Sequence, residues 1–328
     1  MPASLIFLEL LADRTLRPSA LLLGVGPGDP AALLALADHP DLRLLASQIP
    51  CFLPAADSAN LPPELDQALG AAGCQHLAGG KIVRIDQALG PNVPPGATLI
   101  AGHWYITTSP AKPSESQAAS RALALQLVQL VAQDADTRDI EEVLRRDATL
   151  SYHLLRVVNS LAMGGSRQIT SFAQAILLLG RQQLRRWLNL MLFSARAGDE
   201  RSAMLAARVA VRARSMELLA RASGLDRSAQ ELAFMAGMFS LLGVLFGLPL
   251  AQVLAPLKIT DALRDAVLRH EGELGRLLQA VEHAERGDAA GLALALAGAQ
   301  VPVAEYNGLL IEAHNWMLNI AREGGAHG

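Results

Sequence analysis

The chain has 328 residues, of which 51% are hydrophobic, 18% charged and only 4% aromatic, with a formal net charge of −3. That length gives room for two modest domains, each burying its own core. The slightly negative balance offers no concentrated basic surface, which excludes nucleic acid as an expected partner and supplies no attraction to an anionic membrane.

At the N-terminus Leu5-Ile6-Phe7-Leu8 is as apolar as the core of a leader peptide. Glu9 and Asp13 interrupt it and no basic stretch precedes it, so a leader is not expected. Ala20 to Val25 reads as a strand, and Asp29-Pro30 as the cap and first-turn proline of a helix over Ala31 to Ala37. The intervening Gly24-Val25-Gly26-Pro27-Gly28-Asp29 has neither the G-x-G-x-x-G spacing nor a following Lys-Ser/Thr, so it reads as a tight turn rather than a phosphate cradle. Leu42 to Leu45 and Lys81 to Ile85 read as further strands, Pro62 to Ala72 as a helix between them, and Thr98 to Thr107 as the last strand. Cys51 and Cys74 form no CxxC pair and read as two buried thiols of a reducing compartment.

Thr107 to Pro113 is the expected linker, and beyond it the pattern turns helical. Successive helices are predicted from Leu123, over Arg138 to Arg146, from Asp147 to the Gly164-Gly165 stop, from Thr170 to Gly180, and through Leu184 to Met191. Others follow over Ser202 to Ala222, Ser228 to Phe246, Asp261 to Arg286 and Val303 to Arg322. Leu232 to Leu257 carries no charged side chain and exceeds the roughly 20 residues of a bilayer crossing. Gly237, Gly243, Gly247, Pro249 and Pro256 break it up, so buried helices are expected instead. Arg181, Arg185 and Arg186 follow Gly180, and Arg201, Arg208 and Arg212 share a helical stripe. Their ordinary reading is a solvated face. The sharper one makes Arg181, Arg185, Arg186, Arg208 and Arg212 a surface for an acidic partner or a nucleotide.

The run from Arg145 to Leu188, RRDATLSYHLLRVVNSLAMGGSRQITSFAQAILLLGRQQLRRWL, closely resembles the signature of HDOD domains. The positions that carry it include Asp147, Arg156, Asn159, Ser160, Gly164, Ser171 and Gly180. The likeness extends over about residues 114–300. Such domains are related to HD phosphohydrolases, in which a His-Asp pair on a helix binds metal. In the corresponding stretch of this chain Ser240 and Leu241 stand in those places, and neither is an adequate ligand. One HDOD subfamily carries an EAL-like domain in front, related to cyclic di-GMP phosphodiesterases. Lys81 to Asp86 (KIVRID) resembles its K-I-D strand, and Ile100 to Tyr105 followed by Ser109-Pro110 resembles its end. A complete barrel of that kind needs about 200 residues or more, and no Glu-Ala-Leu triplet or Asp-Asp-Phe-Gly run occurs.

The expectation is thus an α+β chain: a shortened, EAL-like α/β domain over 1–110, then an all-α HDOD domain over 111–328 that ends in a C-terminal helix. The resemblance implies a bacterial cytoplasmic signalling protein without an active site, cofactor or metal, acting by binding other signalling proteins or a second copy of itself. Neither nucleic acid nor membrane is expected as a partner. Two alternatives are a phosphodiesterase, either acting on cyclic di-GMP or of the metal-dependent HD type, and a receptor that binds a cyclic dinucleotide without cleaving it.

Overall fold

The computed structural model describes residues 4–29, 31–54, 61–77, 81–88, 93–107, 123, 126–127, 129–130, 133, 135–145, 199–257 and 259–325. Its described part is mixed α/β, a six-stranded sheet followed by packed helices.

The first strand, β1 (Ile6–Ala12), is one that the sequence reading passed over, because Glu9 interrupts an otherwise apolar run. β1 pairs antiparallel with β2 (Pro18–Val25), Ile6 opposite Val25 and Glu9 opposite Leu22. Two helices follow, α1 (Ala31–Ala37) and α2 (Pro40–Gln48). Leu42 to Leu45 therefore belongs to a helix, not a strand. Pro40 occupies the first turn, the His39 ring accepts the Asp41 amide at 3.3 Å, and Leu42 and Leu45 meet the core three residues apart. β3 (Cys51–Leu53), α3 (Pro63–Ala71), β4 (Gln75–His76), β5 (Ile82–Arg84) and β6 (Leu99–Ala101) come next. The last strand is shorter than expected. Gly102, at φ +99, turns the chain into α4 (Trp104–Thr107).

Strand order is β4-β3-β2-β1-β6-β5. β1 is antiparallel to both neighbours, while β2, β3 and β4 run parallel and β5 runs parallel to β6. The carboxyl ends of all the other strands therefore point opposite to that of β1. One sheet face carries Ile6, Leu8, Leu10, Leu21 and Leu23 into the main core. The other carries a small cluster of Leu11, Ala20 and Ala101, flanked by Leu22, Phe52, Ile82 and Leu99.

The helical part comprises α5 (Thr137–Arg145), α6 (Ser202–Ala222), α7 (Arg227–Phe239), α8 (Leu242–Phe246), α9 (Leu250–Leu254), α10 (Asp261–Arg269), α11 (Gly272–Glu285), α12 (Ala289–Gly298) and α13 (Val303–Gly325). Two expected helices prove to be pairs. Ser228 to Phe246 divides at Ser240-Leu241, and Asp261 to Arg286 divides where His270 takes a left-handed conformation, φ 56. α6 is buried along nearly its whole length, and α7 crosses it closely at Gly237, where a Cβ would stand 2.7 Å from the Ala213 Cα. By length and composition Arg227–Phe246 could cross a membrane, yet it is interrupted at Ser240-Leu241 and over half of it is buried in the protein.

Sheet and helices share one apolar core. A polar clasp sits within it: Asn307 on α13 accepts the Ile6 amide at 3.0 Å and donates to the Ser4 carbonyl at 2.9 Å, so its side chain completes the edge of β1 as a neighbouring strand would. Asn315, two turns on, donates to the Asp41 carbonyl at 2.9 Å. Replacing Asn307 by Leu leaves a buried amide and carbonyl without partners. Chemical denaturation is expected to show a loss of about 1–3 kcal/mol, and an unchanged midpoint would contradict the clasp.

Candidate functional site

Two clusters of polar side chains meet where the sheet rests on the helices. The outer one lies at the carboxyl ends of β5 and β6. Glu9, in the middle of β1, is flanked on this side of the sheet. One of its carboxylate oxygens accepts the Gly102 amide at 2.9 Å and the other takes Nη2 of Arg84 at 2.5 Å. Only glycine fits at 102, where a Cβ would stand 2.2 Å from the Ile85 carbonyl oxygen. Arg84 also faces Asp86 at 3.6 Å. His103 completes the group, its backbone amide donating to Asp86 at 3.2 Å and its Nδ1 lying 3.5 Å from the same carboxylate. Arg84 and Asp86 are each about half exposed, so the cluster opens to solvent. Parallel strands commonly present functional groups at their carboxyl ends, where loops rather than side-chain packing fix the surroundings.

The inner cluster is buried. Arg212 on α6 grips Glu285 on α11 through Nε at 2.9 Å and through a second, shorter contact from Nη2. Arg212 also donates to Ser240 Oγ at 2.8 Å, and Glu282 lies 3.7 Å away. Arg208, one turn earlier, donates from Nε to the Tyr105 hydroxyl at 2.8 Å and faces Glu285 at 3.7 Å. Two guanidinium groups and two carboxylates thus balance. Burial alone would raise the Glu285 carboxyl, and Arg212 and Arg208 more than reverse that, holding it below the usual range. Burial pushes Tyr105 up, which keeps its hydroxyl protonated. His314 on α13 is pushed down to about 4, first by burial and also by the positive charge of Arg208.

His103 joins the clusters. Its Nε2 lies 3.2 Å from the backbone carbonyl of Glu285, an acceptor only, so that nitrogen donates. The outer acids therefore hang on the same stretch of α11 that carries the inner ion pair.

The structure brings Arg208 and Arg212 together, but not as a surface. Both are buried, as is Arg201, which binds Asp199 at 2.8 Å and the Val244 carbonyl at 3.3 Å. A solvated or docking stripe is corrected for Arg208 and Arg212, because α6 is buried along nearly its whole length, Glu285 carries the opposing charge and Tyr105 accepts a hydrogen bond from Arg208. Ser240 ends α7 and is held by Arg212, and Leu241 is buried beside it. Arg181, Arg185 and Arg186, together with Asp147, Arg156, Asn159, Ser160, Gly164, Ser171 and Gly180, lie outside the described residues. Glu9, Arg84, Tyr105 and Glu285 were not anticipated as functional. Glu9 had one signal, a lone charge at a sheltered strand position.

Comparison with known proteins gives a family. The model of the HDOD domain matches residues 119–290. The cyclic di-GMP phosphodiesterase CdgJ of Vibrio cholerae serotype O1 is 29% identical over 228 residues, which cover 69% of this chain and 52% of CdgJ. The uncharacterized Bacillus subtilis protein YuxH is 29% identical over 158 residues, 48% of this chain and 38% of its own. The chain thus spans about half, or less, of the length of these curated relatives. A crystal structure from Shewanella amazonensis SB2B, provisionally named a phosphohydrolase, aligns with a TM-score of 0.43 at 18% identity over 62% of this chain and 93% of that one. The expectation of a non-catalytic protein, a pseudoenzyme acting only through protein contacts, is overturned. CdgJ, which matches 69% of this chain, is named as an enzyme.

Two measurements check the inner cluster. Glu285→Gln leaves Arg212 and Arg208 buried without their carboxylate, and a loss of about 3–5 kcal/mol in folding stability is expected. His314 is neutral when folded and takes a proton once unfolded below about pH 6.5, so stability falls as pH drops from there towards about 4, by up to about 3 kcal/mol. In His314→Gln that slope should flatten, and parallel wild-type and variant curves would refute the assignment.

Proposed function

This chain belongs to the HDOD domain family, and from that premise we propose that it is a phosphodiesterase of the cyclic di-GMP class, with its reactive groups in the outer cluster. The observation that carries the reading is the convergence of Glu9, Asp86 and His103 at the carboxyl ends of two parallel strands. The name of the Vibrio relative supplies the substrate class. The N-terminal sheet is read here as a shortened EAL-like domain. Glu9-Leu10-Leu11 differs from a Glu-Ala-Leu triplet only in its middle residue, and KIVRID places Asp86 just past β5.

Hydrolysis of a phosphodiester adds water across one P–O bond. A base takes a proton from the attacking water, and an acid returns one to the departing alkoxide. Asp86, half exposed, and His103, 3.5 Å from it, form the acid–base pair. Glu9 is held by the Gly102 amide and in turn orients the Arg84 guanidinium. Arg84 presents a charge suited to a non-bridging phosphate oxygen. The divalent cation that an EAL-like or HD-like origin implies does not fit the described residues. Both Glu9 oxygens are engaged, and among the described residues no group of three His, Cys, Asp or Glu side chains is arranged to hold an ion. No step is therefore routed through a metal.

The test is turnover of cyclic di-GMP to the linear dinucleotide, followed chromatographically. Wild-type protein is expected to hydrolyse it, and Asp86→Asn or His103→Gln to lower the rate by about 100-fold or more while the fold survives. Full activity in both variants, or binding of cyclic di-GMP with no turnover by the wild type, would contradict the proposal.

A further inference from the structure

The outer cluster has an unusual charge arrangement for a group of acids at strand ends. Its cation is part of the chain. Arg84 leaves β5 at its last residue and lays its guanidinium between Glu9, 2.5 Å from one terminal nitrogen, and Asp86, 3.6 Å from the other. His103 borders the same carboxylate at 3.5 Å. Two carboxylates flank the guanidinium and an imidazole borders one of them; carboxylate and imidazole are donor types that a hard or borderline divalent cation takes. Glu9 and Asp86 hold the guanidinium strongly enough to raise the already high basicity of Arg84, although burial opposes them. A guanidinium cannot be deprotonated in a protein, so this charge is permanent.

We infer that Arg84 is the resident cation of this cluster, bridging Glu9 and Asp86 and closing the site to metal. A divalent ion entering beside Arg84 meets a like charge and must also displace a charge-assisted hydrogen bond from Glu9. Removing the guanidinium leaves the Glu9 and Asp86 carboxylates without the cation they share. They repel until a cation is supplied. The inference rests on the geometry of the cluster alone, so a protein that excludes metal but shows no phosphodiesterase activity leaves it standing.

Binding of Mn²⁺ alone, measured by calorimetry and by the solution EPR signal of the free ion, tests this without any turnover. Arg84 is half exposed, so Arg84→Ala should fold, and Arg84→Gln provides a second, bulkier neutral variant checked by circular dichroism. Wild-type protein should take up no stoichiometric Mn²⁺, and both variants should bind one ion at least about tenfold more tightly than the wild type. The double variant Glu9→Gln with Arg84→Ala should lose that gain. Stoichiometric Mn²⁺ on the wild type that Glu9→Gln abolishes would overturn the inference. So would the absence of any gain in the Arg84 variants, or a gain that survives removal of the Glu9 charge.

Discussion

The ion pair between Arg212 and Glu285 is the constraint on which the rest of the arrangement depends. It is buried, made by two contacts from one guanidinium, and placed where α6, α7 and α11 meet. Two charges in such a place are expensive to strand singly, so each fixes the other's helix. Arg208 and Tyr105 extend the pair towards the sheet, and the Glu285 backbone carbonyl extends it to His103. A shift of α11 by more than a fraction of a hydrogen-bond length would thus be felt at Asp86 and Glu9.

That dependence explains why the outer cluster can be open yet ordered. Apart from Glu9, its members stand on or just past short elements, a three-residue strand and the turn after another, which alone would specify little. Gly102 sets the turn, Glu9 caps its amide, and His103 is anchored from behind by α11. The reactive groups face solvent while their supports are buried, a division that catalytic sites generally need. Asn307 ties the start of β1, and Asn315 the first turn of α2, to α13 by the same means, a side-chain amide bonded to backbone.

Much of this was legible in the sequence. The family was readable because its signature is local, many fixed positions in order over Arg145 to Leu188. Helix α6 was placed correctly, since Ala, Leu and Arg sustain a helical pattern over 21 residues. What failed depended on tertiary context. Leu42 to Leu45 is short enough to suit either period, and only Pro40 and the packing against α13 decide for helix. Arg208 and Arg212 look like solvent-facing charges because their partners, Tyr105 and Glu285, lie 103 and 73 residues away in the chain. The breaks at Ser240 and His270 occur where no proline announces them. Reading Glu9 as a mere interruption hid both a strand and a carboxylate.

The link between the outer cluster, the buried pair and a cyclic dinucleotide is the central claim, and hydrogen exchange tests it most directly. A phosphorothioate analogue of cyclic di-GMP, resistant to cleavage, should slow amide exchange around Ile82 to Asp86 and Leu99 to Tyr105, and with them in α6 and the end of α11. Protection by the analogue that spares both strand ends, or that stops at the sheet without reaching Glu285, would contradict it.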